Sequence, residues 1–369
     1  MRAAIVTLHR VYNFGSVLQA YATQCIFEKA GFDTVIIDYI SPQRTKKQIL
    51  KNAAAGSNKE LPVRLYKPLK LISIILKELT FGRFINKNLN LTKKYITSED
   101  LEADPPEADV YITGSDQTWN SEYNKGVDRG FFLTFAPDNK PKVSFVSSFG
   151  KTILEESEIR QTKPLIDKYC KLSVRENSGL AVLKQLGRSD GVQLIDPTLQ
   201  LTKEEWLRIA SPRLVKDPYL ILMLLYNEDN HATEYARKIA DEKGLRLVKI
   251  SWELRKPEMV DQLFTHRSPK DFLSLFAFAD FVVTNSFHGL AFAINLERQF
   301  IVVPRNEFNS RIESLLALTG LSEKLVSTMD KVIIESKKDI NYAEINEHLK
   351  NERIRASDYI KEIIQLGAV

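Results

Sequence analysis

Short apolar runs recur along this chain, and a stretch with helical spacing follows most of them. Runs this short are strands, and strands alternating with helices build a parallel sheet covered on both faces. In the first half the runs Ala3–Leu8, Thr34–Ile40, Asp109–Thr113, Lys142–Ser147, Leu172–Val174 and Val192–Ile195 read as strands, with helices over Gly15–Ala30, Glu156–Tyr169 and Asn177–Leu186. After the polar stretch Thr202–Asp217 a second series begins. Its strands are Tyr219–Tyr226, Arg246–Ile250, Phe281–Thr284 and Phe300–Val303, and its helices lie near His231–Lys243, Pro269–Phe278 and Leu290–Leu296. The expected fold is therefore α/β, with Rossmann-like domains over residues 1–200 and 201–340. Two such domains facing each other imply a cleft between the carboxyl ends of their sheets, where ligands commonly bind. The first domain carries a helical, basic insertion at about residues 42–98. The last segment, residues 341–369, is a long amphipathic helix that can cross back onto the first domain.

Composition narrows the setting. At 369 residues, 52 Lys plus Arg against 47 Asp plus Glu leave a charge of +5, too mild to imply nucleic acid. Cys25 and Cys170 fall in helical patterns without metal or redox spacing and read as small buried hydrophobes of a reduced, cytoplasmic protein. The apolar start Ala3–Leu8 is too short for a signal-peptide core, and no run reaches a membrane span. From Arg64 to Lys94 the basic residues Arg64, Lys67, Lys70, Lys77, Arg83, Lys87, Lys93 and Lys94 face one acid, Glu78. Leu65, Leu69, Ile72 and Leu76 can form an apolar face there. Such a surface suits the inner leaflet of an anionic membrane, or simply a solvated helix.

The candidate chemistry sits at strand ends. The segment FVVTNSFHGLAFAINL, Phe281–Leu296, reads as strand, turn and apolar helix, with His288 at the helix entrance before Gly289. A helix start offers free N–H groups and partial positive charge to an anion, and a histidine there can move protons near neutral pH. After the first strand, Tyr12, Asn13, Gly15 and Ser16 open a helix, either as caps or as ligand contacts. The loop Gly114–Asn120 is the densest polar cluster. Asp116 can act as base toward a hydroxyl, Gln117 and Asn120 can bind sugar hydroxyls, and Trp119 can stack on a sugar ring. The alternative is a cap at Asp116 and a core tryptophan. Arg175, at a strand end beside Glu176, can hold a carboxylate or phosphate, or pair with that neighbour. Arg305 and Arg311 add positive charge after the strand Phe300–Val303, and Trp252 is a second sugar platform. His9, His231, His266 and His348 show no metal-ligand spacing, so no metal site is expected. An anionic donor and a carbohydrate acceptor fit this set.

Six motifs in order carry a resemblance: NFGSVLQAYA at 13–22, YITGSDQTWN at 111–120, SSFG at 147–150, SVRE at 173–176, DPTL at 196–199 and SFHGLAFAINL at 286–296. Together the sequence resembles the polysaccharide pyruvyl transferase family. The resemblance implies a GT-B-like fold, phosphoenolpyruvate as co-substrate without a further cofactor, and a sugar of a cell-surface polysaccharide precursor as acceptor, presented on a lipid. The product it implies is a pyruvate ketal. His288 and Arg175 match the family's donor-site residues. Many members carry arginine two positions before this histidine; Ser286 stands there, which removes one donor-phosphate contact or hands it to Arg311 or Arg305. In this expectation His288 and Asp116 are catalytic. Arg175, Arg311, Ser286, Asn13, Gly15, Ser16 and Gly289 bind the donor, and Gln117, Trp119, Asn120, Trp252 and Tyr12 bind the acceptor. A homo-oligomer and a peripheral membrane contact stay open. The rival readings are a GT-B nucleotide-sugar glycosyltransferase, against which the absence of a clear Glu-x7-Glu pattern counts, and a non-catalytic sugar-binding component of the same pathway.

Overall fold

The computed structural model describes residues 1–45, 48, 51, 72, 74–225, 229–252, 255–306 and 309–367. Most of the basic insertion, including Arg64, Leu65, Lys67, Leu69 and Lys70, lies outside them, as does Tyr226. The chain divides into two compact units, Met1–Pro197 with Arg355–Val369, and Thr198–Ile354.

The first unit holds strands β1 (Arg2–Val6), β2 (Asp33–Tyr39), β3 (Leu91–Tyr95), β4 (Val110–Thr113) and β5 (Lys142–Ser144) in the order β3-β2-β1-β4-β5. Every pairing is parallel. The short strands β6 (Ser173–Val174) and β7 (Val192–Gln193) pair with each other. Single parallel bridges Val143 to Lys171 and Ser147 to Val174 run from the β5 segment to the β6 segment. The central strands are buried on both faces, so β1 and β4 read as continuous apolar runs rather than alternating ones.

β3 corrects the expected all-helical insertion. Its sequence LTKKY is too polar to stand out as a buried strand, because it is an edge strand with Lys93 and Lys94 exposed. Lysines on an outer strand discourage pairing with another chain. The residues just before it fold inward through Ile74, Phe81, Phe84 and Ile85, while Ile72, Ile75 and Leu79 are exposed. Cys170 is a second correction: it is exposed, in a loop, because the helix expected to reach Tyr169 ends at Ile166.

The second unit repeats the pattern. Strands β8 (Tyr219–Met223), β9 (Arg246–Ile250), β10 (Gln262–Phe264), β11 (Phe281–Thr284) and β12 (Gln299–Val302) are ordered β10-β9-β8-β11-β12, again all parallel. β10 has three residues, only one of them fully buried, and lies at the edge. That is why apolar periodicity misses it.

Helices cover these sheets. α1 (Phe14–Lys29) follows β1 and is mostly buried, with Glu28 and Lys29 exposed at its end. α2 (Pro269–Ala277) starts from a Ser268–Asp271 capping box, which satisfies two end N–H groups reciprocally. α3 (Phe287–Asn295) is buried over its whole length, with Trp206 and Phe272 packed edge-on against Phe292. α4 (Ser310–Leu318) follows β12, and α5 (Tyr342–Gly367) closes the chain. The C-terminal part of α5 belongs to the first unit, where Tyr359 donates to the Ser144 carbonyl at 2.9 Å and Ile363 is fully buried.

A buried polar cluster ties the ends of β1 and β2. Asp38 accepts from His9 Nε2 at 3.0 Å and from Arg10 Nε and Nη2, each at 2.7 Å. Burial pushes the Asp38 carboxyl up, but the His9 hydrogen bond and the Arg10 pair outweigh it and hold it well below the usual range.

Two outcomes follow for stability. Ile363→Ala should destabilise the protein by about 2–5 kcal/mol in urea melts, because the last helix is core to the first unit. For Asp38, whose folded pKa is depressed, the stabilisation is present above its unfolded value of about 3.9 and is lost as pH falls below it. Asp38→Asn should therefore lower stability at neutral pH and flatten the acid limb of a stability–pH curve; an unchanged acid limb would contradict this.

Candidate functional site

In each sheet the strand order reverses beside the first strand, between β1 and β4 in one unit and between β8 and β11 in the other. Crossovers leave to opposite sides there, which opens space at the carboxyl ends of the two strands. Each unit presents polar side chains at that point.

In the first unit the residue after β4 is Gly114, where a Cβ would press on Thr7 at 3.1 Å and Ile5 at 3.2 Å. Glycine thus lets the end of β4 lie against β1. Thr7 Oγ1 donates to the Ser115 carbonyl at 2.8 Å, and Gln19 Nε2 donates to Thr7 Oγ1 at 2.8 Å. Asp116 then takes left-handed backbone, φ 74°, uncommon for a residue with a side chain but tolerated by aspartate. Its Oδ1 accepts from the Gln117 N–H at 2.8 Å and its Oδ2 from Ser16 Oγ at 2.5 Å. Strain of this kind collects at functional sites.

Arg175 stands at the centre of this network. Its Nη1 donates to Asp196 Oδ2 at 3.1 Å, its Nη2 lies 3.6 Å from Asp116 Oδ1, and its Nε 3.6 Å from Glu176 Oε2. Ser115 Oγ also donates to Asp196, and Ser148 Oγ to Glu176. The guanidinium is fully buried. Burial disfavours its charge, yet Asp196, Asp116 and Glu176 outweigh that and raise its pKa above the ordinary value. Arg175 is thus already paired with carboxylates, and an incoming anion would have to compete with them. Asp196 and Glu176 are not among the expected site residues, although Asp196 heads the DPTL motif and Glu176 adjoins Arg175.

The rest of the loop is interior. Trp119 stacks on Phe132 with centroids 5.6 Å apart, packs against Phe149 and Tyr169, and donates from Nε1 to the Phe131 carbonyl at 3.2 Å. It is a core residue and offers no face to a sugar, which corrects the platform expected of it. Asn120 caps the short helix Ser121–Asn124 through Oδ1 and donates to Gln117 Oε1 at 2.6 Å, so this pair too braces the loop rather than facing an acceptor. Gly150 is required beside them. It has φ 64°, and a Cβ there would lie 2.1 Å from Gln117 Oε1. Asn13 caps α1 by accepting from the Gly15 N–H at 2.9 Å, and Gly15 is buried. Tyr12 is half-buried and its phenol donates to Glu78. Burial and that bond push the phenol above its ordinary range.

In the second unit β11 ends at Thr284, whose Oγ1 donates to the Met223 carbonyl of β8 at 2.8 Å and accepts from the Ser286 N–H at 3.1 Å. Ser286 caps α3, its Oγ accepting from the Gly289 N–H at 3.3 Å. A Cβ on Gly289 would lie 2.4 Å from Thr284 Oγ1, so only glycine lets the helix start this close to the strand. His288 is the second residue of α3, inside its first turn rather than before it, and is 7 % exposed. No acidic residue stands in that turn. Arg311, in α4, lies over the Phe287 ring at 6.0 Å, and Arg305 follows β12, the parallel neighbour of β11. The chain around Arg305 is held by Asn309, which accepts from its N–H at 2.9 Å and donates to its carbonyl at 2.8 Å. A helix start, an imidazole and the Arg311 guanidinium thus stand at one end of this sheet, with Arg305 in the chain just beyond β12. Trp252 follows β9 and meets His266 edge-on.

Among the described residues no group of three or more His, Cys, Asp and Glu side chains is arranged to hold a metal ion. No described helix is long and apolar enough to cross a membrane.

The sequence model of polysaccharide pyruvyl transferases matches residues 13–307, spanning both units. The chain belongs to the polysaccharide pyruvyl transferase family. That places it among transferases of polysaccharide biosynthesis. No curated protein sequence matches it. Among solved structures it is similar to the UDP-GlcNAc 2-epimerase of Methanocaldococcus jannaschii in complex with UDP-GlcNAc and UDP, at 15 % identity and TM-score 0.54 over 99 % of each chain. It is also similar to the spinosyn forosaminyltransferase SpnP, at 12 % identity and TM-score 0.52 over 100 % of each chain. The UDP-GlcNAc 2-epimerase of Neisseria meningitidis matches at 13 % identity and TM-score 0.51, over 99 % of this chain and all of that one. At such identities these likenesses speak to the fold, which is that of the GT-B glycosyltransferases and epimerases.

Arg175→Ala should destabilise the protein by about 3–5 kcal/mol in urea melts, since it leaves buried carboxylates without their cation. A residue serving only to bind ligand would leave the melt unchanged.

Proposed function

We propose that this chain transfers the three-carbon unit of phosphoenolpyruvate to two hydroxyls of one sugar in a lipid-presented polysaccharide precursor, forming a pyruvate ketal and releasing phosphate. The observation that carries the reading is the set at the start of α3, His288 with Arg311 beside Phe287 and Arg305 in the chain just after β12, in a chain of this family. Phosphoenolpyruvate is small and carries both a carboxylate and a phosphate. Two guanidinium groups and a helix start suit such an anion.

In this reading His288 gives a proton to the methylene carbon. The double bond's electrons form the new C–H bond and leave C2 electrophilic. One sugar hydroxyl adds to C2 and loses its proton, and a second then displaces phosphate to close the ketal. Arg305 and Arg311 stabilise the charge moving onto phosphate. Asp116 is the group assigned to the acceptor hydroxyl, acting directly or through Ser16, whose Oγ it already holds. Arg175 keeps that carboxylate in place. Ser286, where many relatives have arginine, is occupied as the helix cap, so the phosphate contact falls to Arg311. The acceptor on its lipid carrier would place the protein at the inner face of the cytoplasmic membrane. The exposed Ile72, Ile75 and Leu79, with Lys77, Arg83 and Lys87 in the same segment, are suited to that surface.

The test is phosphate release from phosphoenolpyruvate with a panel of lipid-linked galactose- and mannose-type acceptors. Release is expected with at least one acceptor. His288→Ala should lose roughly 10²–10⁴-fold in kcat while its thermal melt stays near the parent's. Near-normal turnover in that variant would remove His288 from the chemistry. No release with any acceptor, together with thermal protection by a nucleotide diphosphate sugar alone, would favour a glycosyltransferase.

A further inference from the structure

The second unit has a further polar and aromatic cluster at the carboxyl ends of β9 and β10, apart from the residues of α3 and α4. These strands pair in parallel with Phe264 opposite Ile250, and the pairing continues one step, the Ser251 N–H donating to the Phe264 carbonyl at 3.1 Å. The following residues therefore emerge side by side. Trp252 and His266 meet with ring centroids 5.5 Å apart at 76°. Arg267 comes next, its guanidinium 4.7 Å over the Phe264 ring.

Three features set this cluster apart from ordinary packing. His266 has left-handed backbone, φ 51°, which an imidazole residue adopts at a cost unless the loop holds it there. Arg267 Nε is buried and makes no hydrogen bond, although a guanidinium stacked on an aromatic ring is well placed to make one. Trp252 is half-buried, whereas Trp119 and Trp206 are 4 % and 0 % exposed. Of the chain's three tryptophans it is the least buried.

We propose that Trp252, His266 and Arg267 form a binding subsite for a sugar ring that carries a phosphate. The indole supplies a flat apolar surface for the ring's C–H face, the imidazole a hydrogen-bonding partner for a hydroxyl, and the guanidinium the phosphate contact. This deepens the transferase reading and rests on it for biological meaning: the subsite would grip the phosphate-bearing end of the acceptor. Binding is measurable without turnover, so failure of the subsite and failure of pyruvyl transfer are separable.

The experiment uses the full chain and intrinsic tryptophan fluorescence, with isothermal titration as a second readout. The probes are galactose 1-phosphate, N-acetylglucosamine 1-phosphate, free galactose, inorganic phosphate and uridine diphosphate. A sugar phosphate should quench emission and protect it from acrylamide. Arg267→Ala keeps the reporter and should weaken sugar-phosphate binding at least about tenfold. His266→Ala should weaken it by a smaller factor, and Trp252→Phe should abolish the quench while leaving the thermal melt in place. Free galactose and inorganic phosphate should each bind more weakly than the joined probe. No binding of either sugar phosphate, or binding unchanged in Arg267→Ala, would overturn the proposal. So would tighter binding of uridine diphosphate than of both sugar phosphates, since the platform would then read a nucleobase. Binding that persists where phosphoenolpyruvate yields no phosphate would keep the subsite and discard the pyruvyl reading alone.

Discussion

Parallel pairing of a central strand on both sides is the constraint from which the rest of each unit follows. β1 pairs with β2 and β4, and β8 with β9 and β11, all in the same direction. Parallel neighbours need crossovers, and the crossovers bury both faces of the sheet. Polar chemistry is then excluded from the strands and is left to the loops at their carboxyl ends. Gly114 and Gly289 mark how tightly those loops are drawn in: at each, a side chain would collide with a threonine at the end of a neighbouring or adjoining strand.

The two units handle charge at those ends differently. In the first, a buried guanidinium is enclosed by carboxylates, two of them from other loops, so its charge is met inside the protein. One of these, Asp116, is a buried carboxylate on strained backbone and bonded to a serine. In the second, the cations Arg305 and Arg311 accompany a helix start whose first turn has no acid. One unit thus encloses its strand-end cation with carboxylates, and the other has no acid in the first turn of its strand-end helix.

Much of this was legible in the sequence because buried parallel strands are apolar throughout. Phe281–Thr284 and Arg246–Ile250 were read at their observed bounds, and the helix after Ser286 began only three residues earlier than expected. The edge strands β3 and β10 were not, since one is lysine-rich and the other too short to carry a pattern. Trp119 misled because a tryptophan in a polar loop looks exposed. Only the fold shows Phe132, Phe149 and Tyr169 closing around it. For Arg175 the sequence shows the strand end and the neighbouring Glu176, but not the carboxylates Asp116 and Asp196 that distant loops bring to it.

The last helix has a consequence for synthesis. Its residues from Arg355 onward belong to the first unit, and Tyr359, Ile360 and Ile363 are core positions there. Domains tend to fold as they leave the ribosome, N-terminal first. Here the first unit waits for a segment translated after the second unit, so its sheet stands with a bare apolar patch while the second unit is made. A nascent chain in that condition is a natural client for chaperones, and its correct completion depends on the second unit folding without capturing that patch.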